Sequence, residues 1–225
     1  MNKKIIFSII LVIALLSLGG CRVTTTTNSI SGTGEMVSRN FDVASFNAID
    51  IGGNFEIIYR QSTQVAVMVV MQENLFNYLD VDANGSTLKV EPNRSISTTT
   101  GNRPRLYVNA PNLVSASFSG AVDATDWDAI NTQVFTINAS GAADIDITLD
   151  VEHFGLDVSG AVDVVLSGTA NTIDIDGSGA INISAEALFI EGGRIDVSGA
   201  ASVTLSSLEN VEINTSGVAR VRASD

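Results

Sequence analysis

Six times between Ser119 and Val218 the chain writes Ser-Gly-(Ala/Val) inside an alternating apolar and polar run. The glycines are Gly120, Gly141, Gly160, Gly179, Gly199 and Gly217, separated by 21, 19, 19, 20 and 18 residues. A period this regular in a strand-like sequence implies short coils stacked on copies of themselves, because one coil cannot bury its own apolar face. The repeat therefore predicts an all-β chain, a single-stranded parallel β-helix (β-solenoid) of 18–21 residues per coil. Right-handed winding is the default for parallel β connections.

Numbering each coil from its serine as zero sorts the residues into columns. Position minus three holds Ile137, Leu156, Ile175, Ile195 and Ile213. Plus five holds Ala124, Ile145, Val164, Ile183, Val203 and Val221, and plus seven includes Ile147, Leu166 and Leu205. Phe135 and Phe154 share position minus five. These columns are expected to face inward. Minus two (Asn138, Asp157, Asp176, Asp196, Asn214) and plus four (Asp123, Asp144, Asp163, Asn182, Ser202, Arg220) are expected to face water. Alternation with β-branched residues is the period-two signature of half-buried strand, and nothing here keeps the 3.6 spacing of an amphipathic helix. Coils about 4.8 Å apart would make six of them span roughly 25 to 30 Å. The glycine falls at an inward phase, so it either admits a bend with positive φ or lets neighbouring backbone approach closely. Ser140, Ser159, Ser178 and Ser198, with the alanines two residues on, would then build an exposed strip, a candidate ligand surface.

The same grammar appears upstream in Ile49-Asp50-Ile51-Gly52-Gly53-Asn54-Phe55-Glu56-Ile57, which puts the start of the solenoid near Phe41. Between this coil and the regular repeats the sequence predicts a strand at Val65–Met71, a short helical turn at Asn74–Leu79, and a hairpin. The hairpin is signalled by Asn84-Gly85 between Leu79-Asp80-Val81 and Leu88-Lys89-Val90. Pro92–Pro104 reads as a polar surface excursion.

Lys3 and Lys4 precede an apolar run, Ile5–Leu18, of signal-peptide length and short for a membrane span. The run ends in Leu18-Gly19-Gly20-Cys21, which resembles the bacterial lipobox. That resemblance implies cleavage before Cys21 and acylation of its thiol, and two acyl chains anchor a protein stably to a bilayer. Residues 1–20 thus read as a lipoprotein signal peptide, 21–40 as a lipid-anchored flexible tether, and 41–225 as the folded domain. The expected location is the bacterial cell envelope, outside the cytoplasm, on the outer membrane in a two-membrane cell. Cys21 is the only cysteine, so no disulfide or Cys-x-x-Cys metal pair is available.

Removing Lys3 and Lys4 from the 12 basic residues leaves ten against 25 acidic ones, a net charge of −15. That excludes nucleic acid and disfavours anionic lipid as partners of the folded part. His153 is the only histidine and no nucleophile motif accompanies it, so it reads as a surface or loop residue and no catalytic residues are assigned. Asp144, Asp157, Asp163 and Asp176 recur on both sides of the corner and offer hard oxygen ligands that could hold Ca²⁺. No other cofactor or metal is expected, and the nonapeptide pattern of Ca²⁺-binding β-rolls is missing. Polysaccharide-active enzymes need paired carboxylates concentrated in one cleft. Here the carboxylates recur at every coil, as a repeat dictates. Arg220 and Arg222 stand outward on the last coil, where charge discourages edge-to-edge pairing.

The lipobox, the Phe46-Asn47-Ala48-Ile49-Asp50-Ile51-Gly52 opening, the Asn84-Gly85 hairpin and the serial Ser-Gly-Ala-x-Asp coils together resemble one bacterial family, over about Phe41–Arg222. It is the auto-transporter adhesin head domain, or head GIN domain, family. The resemblance implies an all-β envelope protein with an adhesive role and carries over no functional residue. The expected function is a non-catalytic binding module for an envelope protein or glycan. The alternatives are a self-assembling envelope scaffold and, further off, a polysaccharide-active enzyme. Oligomeric state is left open.

Overall fold

The computed structural model describes residues 29–224. The signal peptide, Cys21 and the first part of the expected tether lie outside the described residues. Strands dominate: β1 (Ile30–Ser31), β2 (Met36–Phe41), β3 (Ala48–Gln61), β4 (Ala66–Gln72), β5 (Leu79–Asn84), β6 (Thr87–Pro92), β7 (Ile96–Ser97), β8 (Arg105–Ala110), β9 (Ser115–Trp127), β10 (Ile130–Leu205), β11 (Val211–Thr215) and β12 (Val218–Ala223). One 3-10 turn, Glu73–Tyr78, interrupts them. The chain is therefore all-β. The main sheet runs as an open path from β11 through β10, β9, β3, β8 and β4 to β2, and does not close into a barrel.

The 76 residues of β10 would span roughly 250 Å if straight. Instead the run folds back on itself in a solenoid-like manner. Hydroxyls of Thr148 and Ser167, 19 residues apart, meet at 2.9 Å, and Gly160 lies against Gly141. The flanking strands join in parallel and in register: Gly53 pairs with Gly120 between β3 and β9, and Gly120 with Gly141 between β9 and β10. Val203 then pairs with Val221 between β10 and β12.

The inward columns are buried as their sequence phase requires. Ile137, Leu156, Ile175 and Ile195 are at most 2% exposed, as are Ala124, Ile145, Val164, Ile183 and Val203. Ile213, in the same column as Ile195, is 37% exposed because no further described coil covers it. The rings of Phe135 and Phe154 stack with centroids 6.3 Å apart in the core.

Upstream of the repeats the helical turn and the hairpin fall where the sequence puts them. The hairpin's paired ends are Asn84 and Thr87, so the two-residue loop is Gly85-Ser86, with Gly85 at φ 64° in the first central position. This is the glycine-first geometry of a two-residue hairpin, with Asn84 contributing the last paired residue of β5.

Two expectations change. The first coil starts at Ala48, because Asp42–Asn47 leaves the sheet and Phe41 belongs to an antiparallel strand on β4. Residues 30–31 and 36–40, expected in a flexible tether, form β1 and, with Phe41, β2, since Ile30, Val37 and Phe41 find apolar partners at the core's edge. The Pro92–Pro104 excursion lies at the surface as expected and is tied to the fold. Its Ile96-Ser97 pairs with Ile30-Ser31, and Asn93 is held by Tyr78 O and Asp80.

Candidate functional site

The corner of each coil combines both roles open to its glycine. Gly160 has φ 121°, and a Cβ there would overlap the carbonyl oxygen of Gly141 in the coil below. An L-residue would be strained by the first and excluded by the second. The bend turns three successive residues outward: Ser159, Gly160 and Ala161 are all exposed, although strict alternation would bury the middle one. The triplets align from coil to coil, beginning with Gly52-Gly53-Asn54 against Ser119-Gly120-Ala121. They make a continuous strip along the stack. Ser140, Ser159 and Ser178 are exposed on it, while Ser198 is half-buried and donates a 3.4 Å hydrogen bond to Gly177 O.

The acidic columns stand on opposite sides of this strip, so the four candidate Ca²⁺ ligands separate. On the minus-two side an open depression of about 320 Å³ lies among Asp50, Ser117, Asn138 and Asp157 and the serines 119, 140 and 159. Further round that side a second depression, also about 320 Å³, gathers Asp157, Asp174, Asp176, Asp196, Arg194 and His153. Asp163 lies across the strip with Asn182 in a third of about 330 Å³, and Asp144 lines none of them. Among the described residues no three His, Cys, Asp or Glu side chains converge as a metal cage requires.

Two ion pairs are local and exposed. Arg194 bonds Asp196 at 3.0 Å, which raises the arginine pKa through that hydrogen bond and the carboxylate's charge. Lys89, 2.7 Å from Glu91, is raised in the same way. Of the two readings of His153, surface or loop, the structure gives the first: it is half-buried on β10, and its Nδ1 meets Thr172 Oγ1 at 2.9 Å. That partner is another coil's hydroxyl on a ladder position, not a nucleophile–acid pair. Arg222 Nε donates to Thr204 Oγ1 at 3.2 Å, so it lies back over the preceding coil. Arg220 has no carboxylate within ion-pair distance among the described residues.

The largest departure from ordinary acidity is structural. The Tyr59 hydroxyl donates to Ala110 O at 3.1 Å, and burial, assisted by the charge of Asp128, pushes its pKa up to about 12. Its ring sits 5.3 Å from that of Trp127, whose Nε1 donates to Ile57 O at 3.0 Å.

Sequence reasoning passed over the cationic end of the strip. Arg103 donates to Asn54 Oδ1 (2.9 Å) and Ala121 O (3.1 Å) and pairs with Asp123 (3.2 Å), tying the Pro92–Pro104 segment to the first two rungs. Beside it, a depression of about 430 Å³ is lined by Gly52–Asn54, Glu91, Pro92, Arg94–Ile96 and Ser119–Ala121. The signal available was composition: Arg94 and Arg103 lie in one short polar segment of an otherwise acidic chain.

In sequence, no curated protein matches the chain. Among solved structures it is similar to a putative adhesin from Bacteroides fragilis (22% identity, TM-score 0.77, covering 87% of this chain and 100% of that one). It is also similar to a putative adhesin from Parabacteroides distasonis (18%, 0.64, 87% and 100%) and to one described as a putative lipid binding protein from the same species (18%, 0.57, 88% and 100%). At these identities the likeness speaks to fold. The family model described as "Putative auto-transporter adhesin, head GIN domain" matches residues 45–224, nearly the whole described fold, and the chain belongs to that family.

Proposed function

We propose that the protein is a lipid-anchored, non-catalytic binding module of the bacterial cell envelope, built as a right-handed single-stranded parallel β-helix whose outer strip is its ligand face. The observation that carries this reading is the strip itself. It is exposed and continuous in register over successive coils, and it is flanked by open depressions instead of a cleft with a nucleophile and base. A surface repeated along an axis suits an extended partner, whereas catalysis needs groups concentrated at one point. The adhesin names of the structural relatives agree with binding.

Anchoring rests on the lipobox at Cys21. Cys21 and Ile30 are nine steps apart along the chain, a maximum reach of about 30 Å, so the fold stands close to the bilayer it is attached to. The outer membrane of a two-membrane cell is the expected site. A second reading, an envelope scaffold growing end to end, is favoured by one observation: in the last described coil the inward-column residue Ile213 is 37% exposed.

One measurement tests the anchor and another separates the two readings. Radiolabelled palmitate should enter the wild type and not Cys21→Ser, and label in both would remove the anchor. Sedimentation of the purified chain in detergent should give one species independent of concentration for a binding module, and growing polymers for a scaffold. A glycan array then tests the ligand face.

A further inference from the structure

The described fold divides sharply by charge. From Val114 to Asn210 fifteen acidic residues accompany one basic residue, Arg194, which is paired with Asp196. The preceding part holds six bases. Arg60, Lys89, Arg103 and Arg105 are in ion pairs, and Arg39 lies 4.3 Å over the ring of Phe76. Arg94 alone of the six has neither a carboxylate within 4.0 Å nor an aromatic face among the described residues, and it lines the 430 Å³ depression where the strip begins.

The wall that carries Arg94 is fixed from both sides. Asn93 is bonded through its backbone N–H to Tyr78 O and through its side chain to Asp80, both at 2.9 Å. Ile96 and Ser97 are paired with β1. Pro92 packs 3.0 Å from where a Cβ of Gly53 would be, so only glycine lets the wall close this tightly. Glu91 at the rim is neutralised by Lys89 at 2.7 Å. The remaining polar groups of the lining are hydroxyls and an amide: Ser95, Ser119 and Asn54. Ser119 is also the first serine of the strip, so the depression opens directly onto it.

We infer that this depression is the terminal subsite of the ligand strip and takes a carboxylate-bearing sugar, a uronic acid unit of a glycan lying along the coils; this rests on the strip being the ligand face. One guanidinium suits a monoanion, and a carboxylate can engage it through two parallel hydrogen bonds. A phosphate dianion would meet the field of a strongly acidic protein. The surrounding hydroxyls and amide match sugar hydroxyls. Rungs about 4.8 Å apart run close to the advance of one ring in an extended glycan, whereas an extended peptide repeats every ~6.6–6.8 Å and falls out of step.

The test is calorimetry on the full chain in detergent micelles with a cellotetraose whose one terminal residue is glucuronic acid, a monoanion, and with cellotetraose itself, its neutral counterpart. The wild type should bind the acidic form about ten- to hundredfold more tightly, the range for one charge-assisted contact. Arg94→Gln should bring the acidic form to the affinity of the neutral one, and Arg220→Gln should leave the preference intact. Equal affinity for the two forms in the wild type, or a preference that survives Arg94→Gln, overturns the subsite. So does tighter binding of an acidic peptide at Arg94. If the subsite fails but Ala161→Trp still abolishes neutral glycan binding, the strip remains the ligand face. If the wild type also binds nothing on an array of neutral and acidic glycans, both readings fall together.

Discussion

Replacing Gly160 by alanine tests whether the corner column sets the stacking of the coils. At φ 121° a non-glycine residue carries about 1–3 kcal/mol of backbone strain. Its Cβ would overlap Gly141 O and stand 3.0 Å from the Gly141 nitrogen and carbonyl carbon, all of them backbone held by the coil on the other side. Relief requires opening the rung, at about 1 kcal/mol for each hydrogen bond weakened. Alanine recovers about 0.4–1 kcal/mol by restricting the unfolded chain. With two such bonds weakened, the net expectation is a loss of roughly 2–4.5 kcal/mol. Gly217 provides the internal comparison. Its φ is 80°, a Cβ would be 2.7 Å from Gly199 O, and no described coil lies beyond it, so its backbone can yield. Gly217→Ala should cost only about 1–2 kcal/mol. Urea denaturation followed by far-ultraviolet circular dichroism reads both. Equal losses, or a Gly160→Ala loss below about 0.5 kcal/mol, would refute the idea that close backbone approach fixes the corner.

Stability should fall as pH rises from 10 toward 12. The raised Tyr59 pKa means the fold favours the neutral phenol: its contribution is complete below the unfolded value of 10.0 and is lost as pH climbs through about 12. The loss is at most about 2–3 kcal/mol, and a melting series on Tyr59→Phe should lack this alkaline step. Phe154→Ala should cost about 3–5 kcal/mol, because the ring is fully buried and stacked on Phe135; a melting temperature within a degree or two of wild type would contradict that packing.

What could be read in the sequence, and what could not, follows the range of the interactions. Ile175 and Val164 announce themselves through a neighbour two residues away and a copy 19 or so residues on, so burial and register were both legible. So were the exposure of Ser159 and the acidic flanks. The strands at Ile30–Ser31 and Met36–Phe41 carry no such echo. One is too short for a period, and the other is an edge strand whose Ser38, Arg39 and Asn40 all face solvent. Its partner is β4, some 30 residues away. The clamp of Arg103 on Asn54 spans 49 residues and belongs to no repeat, which is why the cationic end of the strip emerged only from the fold. His153 shows the converse. Its isolation in the sequence suggests a surface or loop residue; it lies at the surface, and its position on a ladder puts it in extended backbone beside Thr172.

The seam of glycines also governs where the protein can change length. Steps of 18 to 21 residues all bring Gly onto Gly at the corner, so each difference in coil length is taken up elsewhere around the circuit. Gly179 and Gly199 are 20 apart, and on the way the chain passes Glu186, Ala187 and Phe189, all exposed. The corner is a fixed seam and the opposite flank a variable one. Diversity among proteins of this build should collect on that flank, and a peptide grafted there would leave the spacing of the Ser-Gly-Ala strip unaltered.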